Sequence, residues 1–125
     1  MPTPTETVTS FCAEWGKSQQ AMLDSFREYF TPATVWENVG MARATGIDEA
    51  LGLMQGFEGV ETIRVDMISI AADGNKVLTE RVDTMVGPDD KDVLGVRLMG
   101  IFEIDGDKIA AWRDYFDTAV MNQGG

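Results

Sequence analysis

The sequence predicts an α+β domain, with helices packed on one face of a curved, mainly antiparallel sheet of about six strands. Two observations carry that prediction. Apolar residues of the first part recur at helical spacing, and from Val60 onward the period changes to two. Tight-turn signals centred on glycine then separate the later apolar runs, the pattern of an antiparallel meander. At 125 residues the chain is long enough for one core and too short for two, so residues 1–125 read as a single domain.

The elements follow in order. Val8, Phe11, Cys12 and Trp15 mark a first helix over Glu6–Trp15; Met22, Leu23, Phe26 and Phe30 mark a second over Gln19–Phe30. Between them Gly16 reads as a stop and Ser18 as an N-cap. "TPATVWENV" switches to strand composition, and "GIDEALGLMQGF" returns to helix with Ile47, Leu51, Met54 and Phe57 on one side. "ETIRVDMISI" alternates Ile63, Val65 and Met67 against Arg64, Asp66 and Ile68. "DGN" at Asp73–Asn75 is a hairpin turn into "KVLTERVDTMV", and the polar "GPDDKD" leads to "VLGVRLMGIFEI". "DGD" at Asp105–Asp107 precedes "KIAAWRDYFD". About ten residues at each end read as loose.

Composition excludes whole classes of chemistry. There is no histidine, so neither a Ser-His-Asp triad nor a histidine-ligated metal can form. Cys12 is the single cysteine, which rules out an internal disulfide and a cysteine-rich zinc site. Acid–base work must run on carboxylates, tyrosines, lysines or water, and no metal or cofactor is expected. The 21 acidic against 10 basic residues leave a net charge of −11, a surface that repels nucleic acid and anionic membrane. "MPTPTETVTS" lacks a basic segment followed by an apolar run, and no stretch approaches the roughly 20 apolar residues of a membrane span. A soluble, cytoplasmic protein is the expectation.

Three strands gather charge where a core should be. In "KIAAWRDYFD" Asp114 alternates with Trp112 and Phe116, so a strand points all three the same way. By the same alternation Arg81, Asp83 and Met85 share a face, and Val96, Leu98, Gly100 and Phe102 share one parity of the next strand. If the helices cover the face carrying Met85, Leu98, Trp112 and Phe116, that face also receives Arg81, Asp83 and Asp114. A buried ion costs several kcal/mol unless it is paired. A guanidinium fork can hold two carboxylates in fixed geometry, and neighbouring carboxylates tend to split, one ionised and one protonated near neutrality. Such a cluster is either an acid and a base side by side or a structural ion-pair network. Arg113 and Asp117 read as the ordinary surface pair of this strand.

At these residues the sequence resembles the limonene-1,2-epoxide hydrolase family. The matching segments are "VWENVG" at Val35–Gly40 followed by Gly46, "TERVD" at Thr79–Asp83, "GIFEIDGDKI" at Gly100–Ile109 and "WRDYFD" at Trp112–Asp117. The resemblance implies a cone-shaped fold like nuclear transport factor, with a mixed sheet and three helices on its concave face, and a homodimer. It implies one-step hydrolysis of an epoxide without a covalent intermediate. Carried over, Asp114 would be the base that takes a proton from water, Asp83 the acid that protonates the epoxide oxygen, and Arg81 the bridge between them. Asn38 would help hold the water. Trp36, two positions earlier, stands where the family usually places a water-holding tyrosine; an indole N–H can donate to water but cannot accept from it.

Met54, Phe57, Met85, Val96, Leu98 and Phe116 lie on faces that should converge on Asp114, and they imply a small apolar epoxide (terpenoid, alicyclic or lipid) as the partner of water. The tail "TAVMNQGG" is short and would leave the pocket open. A ketosteroid-isomerase-like or polyketide-cyclase-like enzyme, or a non-catalytic binding or dimerisation module on the same fold, are the competing readings.

Overall fold

A computed structural model describes residues 2–122. Three helices, α1 (Pro4–Glu14), α2 (Gln19–Tyr29) and α3 (Gly46–Gln55), lie against a six-stranded sheet. Its strands are β1 (Phe30–Asn38), β2 (Ala42–Thr45), β3 (Thr62–Asp73), β4 (Lys76–Val86), β5 (Asp92–Asp105) and β6 (Lys108–Tyr115). Short 3₁₀ turns occupy Pro88–Asp90 and Thr118–Asn122.

The N-terminus departs from expectation. Residues read as loose belong to α1, because Thr3 and Glu6 close a capping box: Glu6 N–H donates to Thr3 Oγ1 at 3.1 Å, and Thr3 N–H to Glu6 Oε1 at 2.8 Å. Pro4 stands at the start, where its missing N–H costs nothing. Ser18 caps α2 as expected, accepting from Ala21 N–H at 3.0 Å. Phe30 does not close α2 but opens β1, with extended dihedrals. Helix α3 stops at Gln55, so Phe57 lies beyond it. "ARAT", which carries no clear strand pattern, becomes β2 by pairing with β1.

The strand order is β2-β1-β6-β5-β4-β3, with β1 and β6 parallel and every other pair antiparallel. The two-residue hairpins β3–β4 and β5–β6 turn at Gly74 and Gly106, whose φ of 61° and 64° suits glycine. The parallel β1–β6 pairing matters most, since it puts Trp36 beside Trp112 and Asn38 beside Asp114.

The helices bury Val8, Phe11, Trp15, Met22, Phe26, Ala50 and Met54 against the inward residues of the sheet. Trp112 is the centre of that core. It stacks on Trp36 at 4.6 Å and 6° and on Phe102 at 5.1 Å and 16°, while Phe11 meets it edge-on at 5.6 Å. Each such aromatic pair adds about 0.5–1.5 kcal/mol beyond its buried area.

The cap that separates α1 from α2 can be weighed directly. Ser18→Ala leaves an orphan N–H at the start of α2 and should lower the unfolding free energy by about 1 kcal/mol. An unchanged urea midpoint would show that packing alone holds this helix.

Candidate active site

The inward row across four strands reads Asn38 on β1, Asp114 on β6, Gly100 on β5 and Thr79 on β4. One pleat further along β4 stands Arg81, paired with Leu98, and one more brings Asp83, paired with Val96. Arg81 reaches Asp114 across Gly100, which has no side chain to obstruct it. A Cβ built there would lie 2.3 Å from Asp114 Oδ1 and 2.5 Å from Arg81 Nη1.

Arg81 has no exposed surface, yet its guanidinium is engaged on every side. Nε donates to Asp83 Oδ1 at 3.1 Å and Nη2 to Asp83 Oδ2 at 2.8 Å. Nη2 also donates to Asp114 Oδ2 at 3.1 Å and Oδ1 at 3.2 Å, while Nη1 donates to Thr79 Oγ1 at 2.9 Å. Thr79 Oγ1 in turn donates a hydrogen bond to the Gly100 carbonyl, at 3.0 Å. The guanidinium carbon sits 5.8 Å from the Trp15 ring and 5.5 Å from that of Phe102, within cation–π range. Burial works against its charge, but Asp114 and Asp83 outweigh burial and raise its pKa.

Asp114 is buried too. Burial pushes its pKa above the ordinary carboxylate value, and the nearby Asp83 adds to that rise. Arg81 and the indole N–H of Trp112, which donates to Oδ1 at 2.8 Å, pull the other way. A raised pKa makes the ionised Asp114 a stronger proton acceptor than an ordinary carboxylate. Cys12, the one thiol, is no nucleophile: burial pushes it up to about 12. Among the described residues no cluster of three or more metal-ligating side chains forms. No described helix is long and apolar enough to cross a membrane.

A narrow cavity opens onto this cluster. Its wall includes Asn38, Asp83 and Asp114 together with Trp36, Met54, Phe57, Met85, Val96, Leu98 and Phe116. Arg81 lies behind the wall. The wall also takes Trp15, Met22, Phe26, Met41, Ile63, Trp112 and Met121. Trp15, Met22 and Phe26 carried only the apolar stripe of a core helix, and Met121 sits in the C-terminal 3₁₀ turn. Five methionines therefore border the space, an adaptable surface that can reshape around a ligand.

One pairing read from the sequence is corrected. Arg113 binds Glu103 at 2.6 Å rather than Asp117. Arg113 stands opposite Ile101 in the β5–β6 ladder, which puts Glu103 diagonally within reach, whereas Asp117 has left the strand.

A model of the limonene-1,2-epoxide hydrolase catalytic domain matches residues 2–124. The chain belongs to that family. The epoxide hydrolase EphG of Mycobacterium tuberculosis (strain ATCC 25618 / H37Rv) is 40% identical over 93 residues, 72% of this chain and 59% of that protein. The solved structure of an LEH-like epoxide hydrolase from M. tuberculosis superposes with a TM-score of 0.77 at 31% identity, covering 97% of this chain and 87% of that one. An NTF2-like protein of unknown function from Cytophaga hutchinsonii ATCC 33406 shares the fold, with a TM-score of 0.76 at 13% identity over 98% of this chain and 97% of its own. The family member described here thus has the cone-type α+β fold expected from its segments.

In the sequence Gly100 is one more residue of the inward parity of its strand, and its role shows only where it stands between Thr79 and Asp114. Gly100→Ala should cost about 1–3 kcal/mol of stability, the usual penalty of overpacking. Gly95→Ala on the same strand, whose Cβ would meet nothing nearer than 3.7 Å, should cost far less. Equal denaturation midpoints for the two variants would show that the Arg81–Asp114 contact tolerates an intruding methyl.

Proposed function

We propose that this protein opens a small apolar epoxide to a vicinal diol by direct attack of one water molecule. The observation that carries the reading is a single guanidinium holding two carboxylates at the polar end of an otherwise apolar cavity. Asp114 takes a proton from the water, the water oxygen bonds to one epoxide carbon, and that carbon's bond to the ring oxygen breaks. Asp83 delivers its proton to the departing oxygen. The diol leaves, Asp114 is then protonated and Asp83 ionised, and exchange with solvent resets both. Asp83 is the more exposed of the two, at 13% against 5%, which suits a proton-delivering group that must be recharged.

Asn38, in register with Asp114, holds the attacking water beside the base. Trp36 faces the same way one pleat earlier, and its buried Nε1–H has no protein partner. It can donate to the water oxygen, leaving the water's protons for Asp114 and Asn38. Placed acid–base groups of this kind contribute about 10²–10⁴-fold each, and holding water against carbon adds a proximity term. The epoxide's own ring strain supplies the rest, so neither metal nor covalent nucleophile is needed.

A homodimer fits this reading. Leu78, Met99 and Tyr115 are exposed on the outer face of the sheet, with Ile68 beside them at a bulge in β3. Sedimentation that finds only monomer at micromolar concentration would remove that part of the proposal.

The deciding experiment offers cyclic and terpenoid epoxides in ¹⁸O-labelled water and looks for singly labelled diol. Asp114→Asn should fold and retain ligand while diol formation falls by about 10²–10⁴-fold. Because Asp114 must be ionised to act and burial raises its pKa, turnover should be lost on the acid side at a pH above the ordinary value of about 3.9. A folded Asp114→Asn protein making diol at the parent rate would end the assignment. Isomerised or cyclised product without label would favour the other enzymes of this fold.

A further inference from the structure

Two donors reach the Asp114 carboxylate, and they do not share its oxygens equally. Oδ1 accepts from Trp112 Nε1 at 2.8 Å and from Arg81 Nη2 at 3.2 Å. Oδ2 accepts from Arg81 Nη2 alone, at 3.1 Å. Oδ1 is also the oxygen that a Cβ at Gly100 would strike, so it is turned toward β5. Asn38 flanks Asp114 from the other side, on β1.

We infer that Trp112 is the positioning residue of this site: its indole N–H locks the Asp114 carboxylate and leaves Oδ2 as the oxygen that takes the proton from water. The inference rests on the hydrolase reading above and names a group that reading does not use. Trp112 is held for such a task. Its ring is clamped between Trp36 and Phe102, with Phe11 edge-on, and it is 2% exposed, so the N–H has one direction in which to point. Of the three tryptophans, Trp15 and Trp36 bury an Nε1 with no partner, and only Trp112 spends its donor on a carboxylate.

The titratable groups around Asp114 are Arg81 and Asp83 from β4 and Cys12 from α1; Asn38 on β1 carries no titrating proton. The guanidinium stays charged throughout the working range and the Cys12 thiol stays neutral. Trp112 therefore acts on the ionised form of Asp114, which its hydrogen bond favours against the push of burial. Removing that donor must raise the pKa of Asp114 further and free the carboxylate to turn.

Trp112→Phe keeps an aromatic ring in the stack and deletes the N–H. The acid limb of its kcat profile should move upward by about one pH unit, given the usual strength of a hydrogen bond to a charged group. On the plateau kcat should fall by about tenfold with a smaller change in KM, because the variant keeps an aromatic ring in the wall and removes the donor to the base. A folded Trp112→Phe protein with the parent's acid limb and plateau kcat would overturn the inference. A second reading needs neither substrate nor that variant. In the parent protein the assigned Trp112 indole ¹⁵N–¹H resonance should shift with pH as Asp114 titrates, and the shift should vanish in Asp114→Asn. A resonance that stays flat across that range, or that titrates equally in Asp114→Asn, would overturn it as well. If no epoxide is opened but the resonance follows Asp114, the hydrolase reading fails while the positioning contact stands.

Discussion

A guanidinium without exposed surface has to be neutralised where it lies, and much of this molecule is arranged around meeting that demand for Arg81. Two carboxylates, a threonine hydroxyl and two aromatic faces surround it. Losing one partner of such a group typically costs about 3–5 kcal/mol, because the charge left behind has neither water nor counter-charge. The same arrangement forces Asp83 and Asp114 together on one side of a dry cavity. Burial of this kind is weak evidence for stability taken alone, since a well-packed apolar cluster would serve as well. Its presence here suits the proposed role of the two carboxylates as acid and base.

The second constraint is register. Arg81 touches Asp114 only because β4, β5 and β6 stand in a phase that places Gly100 between them. A slip of one residue in either ladder would turn the whole inward set to the outer face. The long hairpins resist this through tight turns at Gly74 and Gly106 and through inward apolar residues above and below the cluster. The parallel contact of β6 with β1 then adds Asn38 from the other side. Every polar group of the cluster therefore stands on a strand, and its position is as rigid as the sheet.

The apolar part of the cavity obeys a looser rule. Its wall comes from helices, strands and the C-terminal turn, and five of its side chains are methionines, whose unbranched chains change shape at little cost. The space now open is narrow, so a ligand larger than water must move some of them. Rigid chemistry at one end and a yielding wall at the other suit a site that fixes the reacting bond and tolerates variation in the rest of the molecule.

Much of this was written in the order of the residues. Periodicity settled the element types, because a helix and a half-buried strand impose different spacings on the same apolar side chains. Strand parity put Arg81, Asp83, Asp114, Met85, Val96, Leu98 and Phe116 on faces that converge, since alternation is a local property of each strand, and helical spacing added Met54 and Phe57. Helix ends were less legible: the reach of α1 back to Pro4 depends on a hydrogen-bond exchange between Thr3 and Glu6, and β2 exists only because β1 is there to pair with it. What no single strand could contain is the set of relations between strands. That Gly100 must lack a side chain and that Arg113 takes Glu103 instead of Asp117 both depend on which residues face one another across ladders. Those distances are decided by register and packing, and they arise only when the chain has closed on itself.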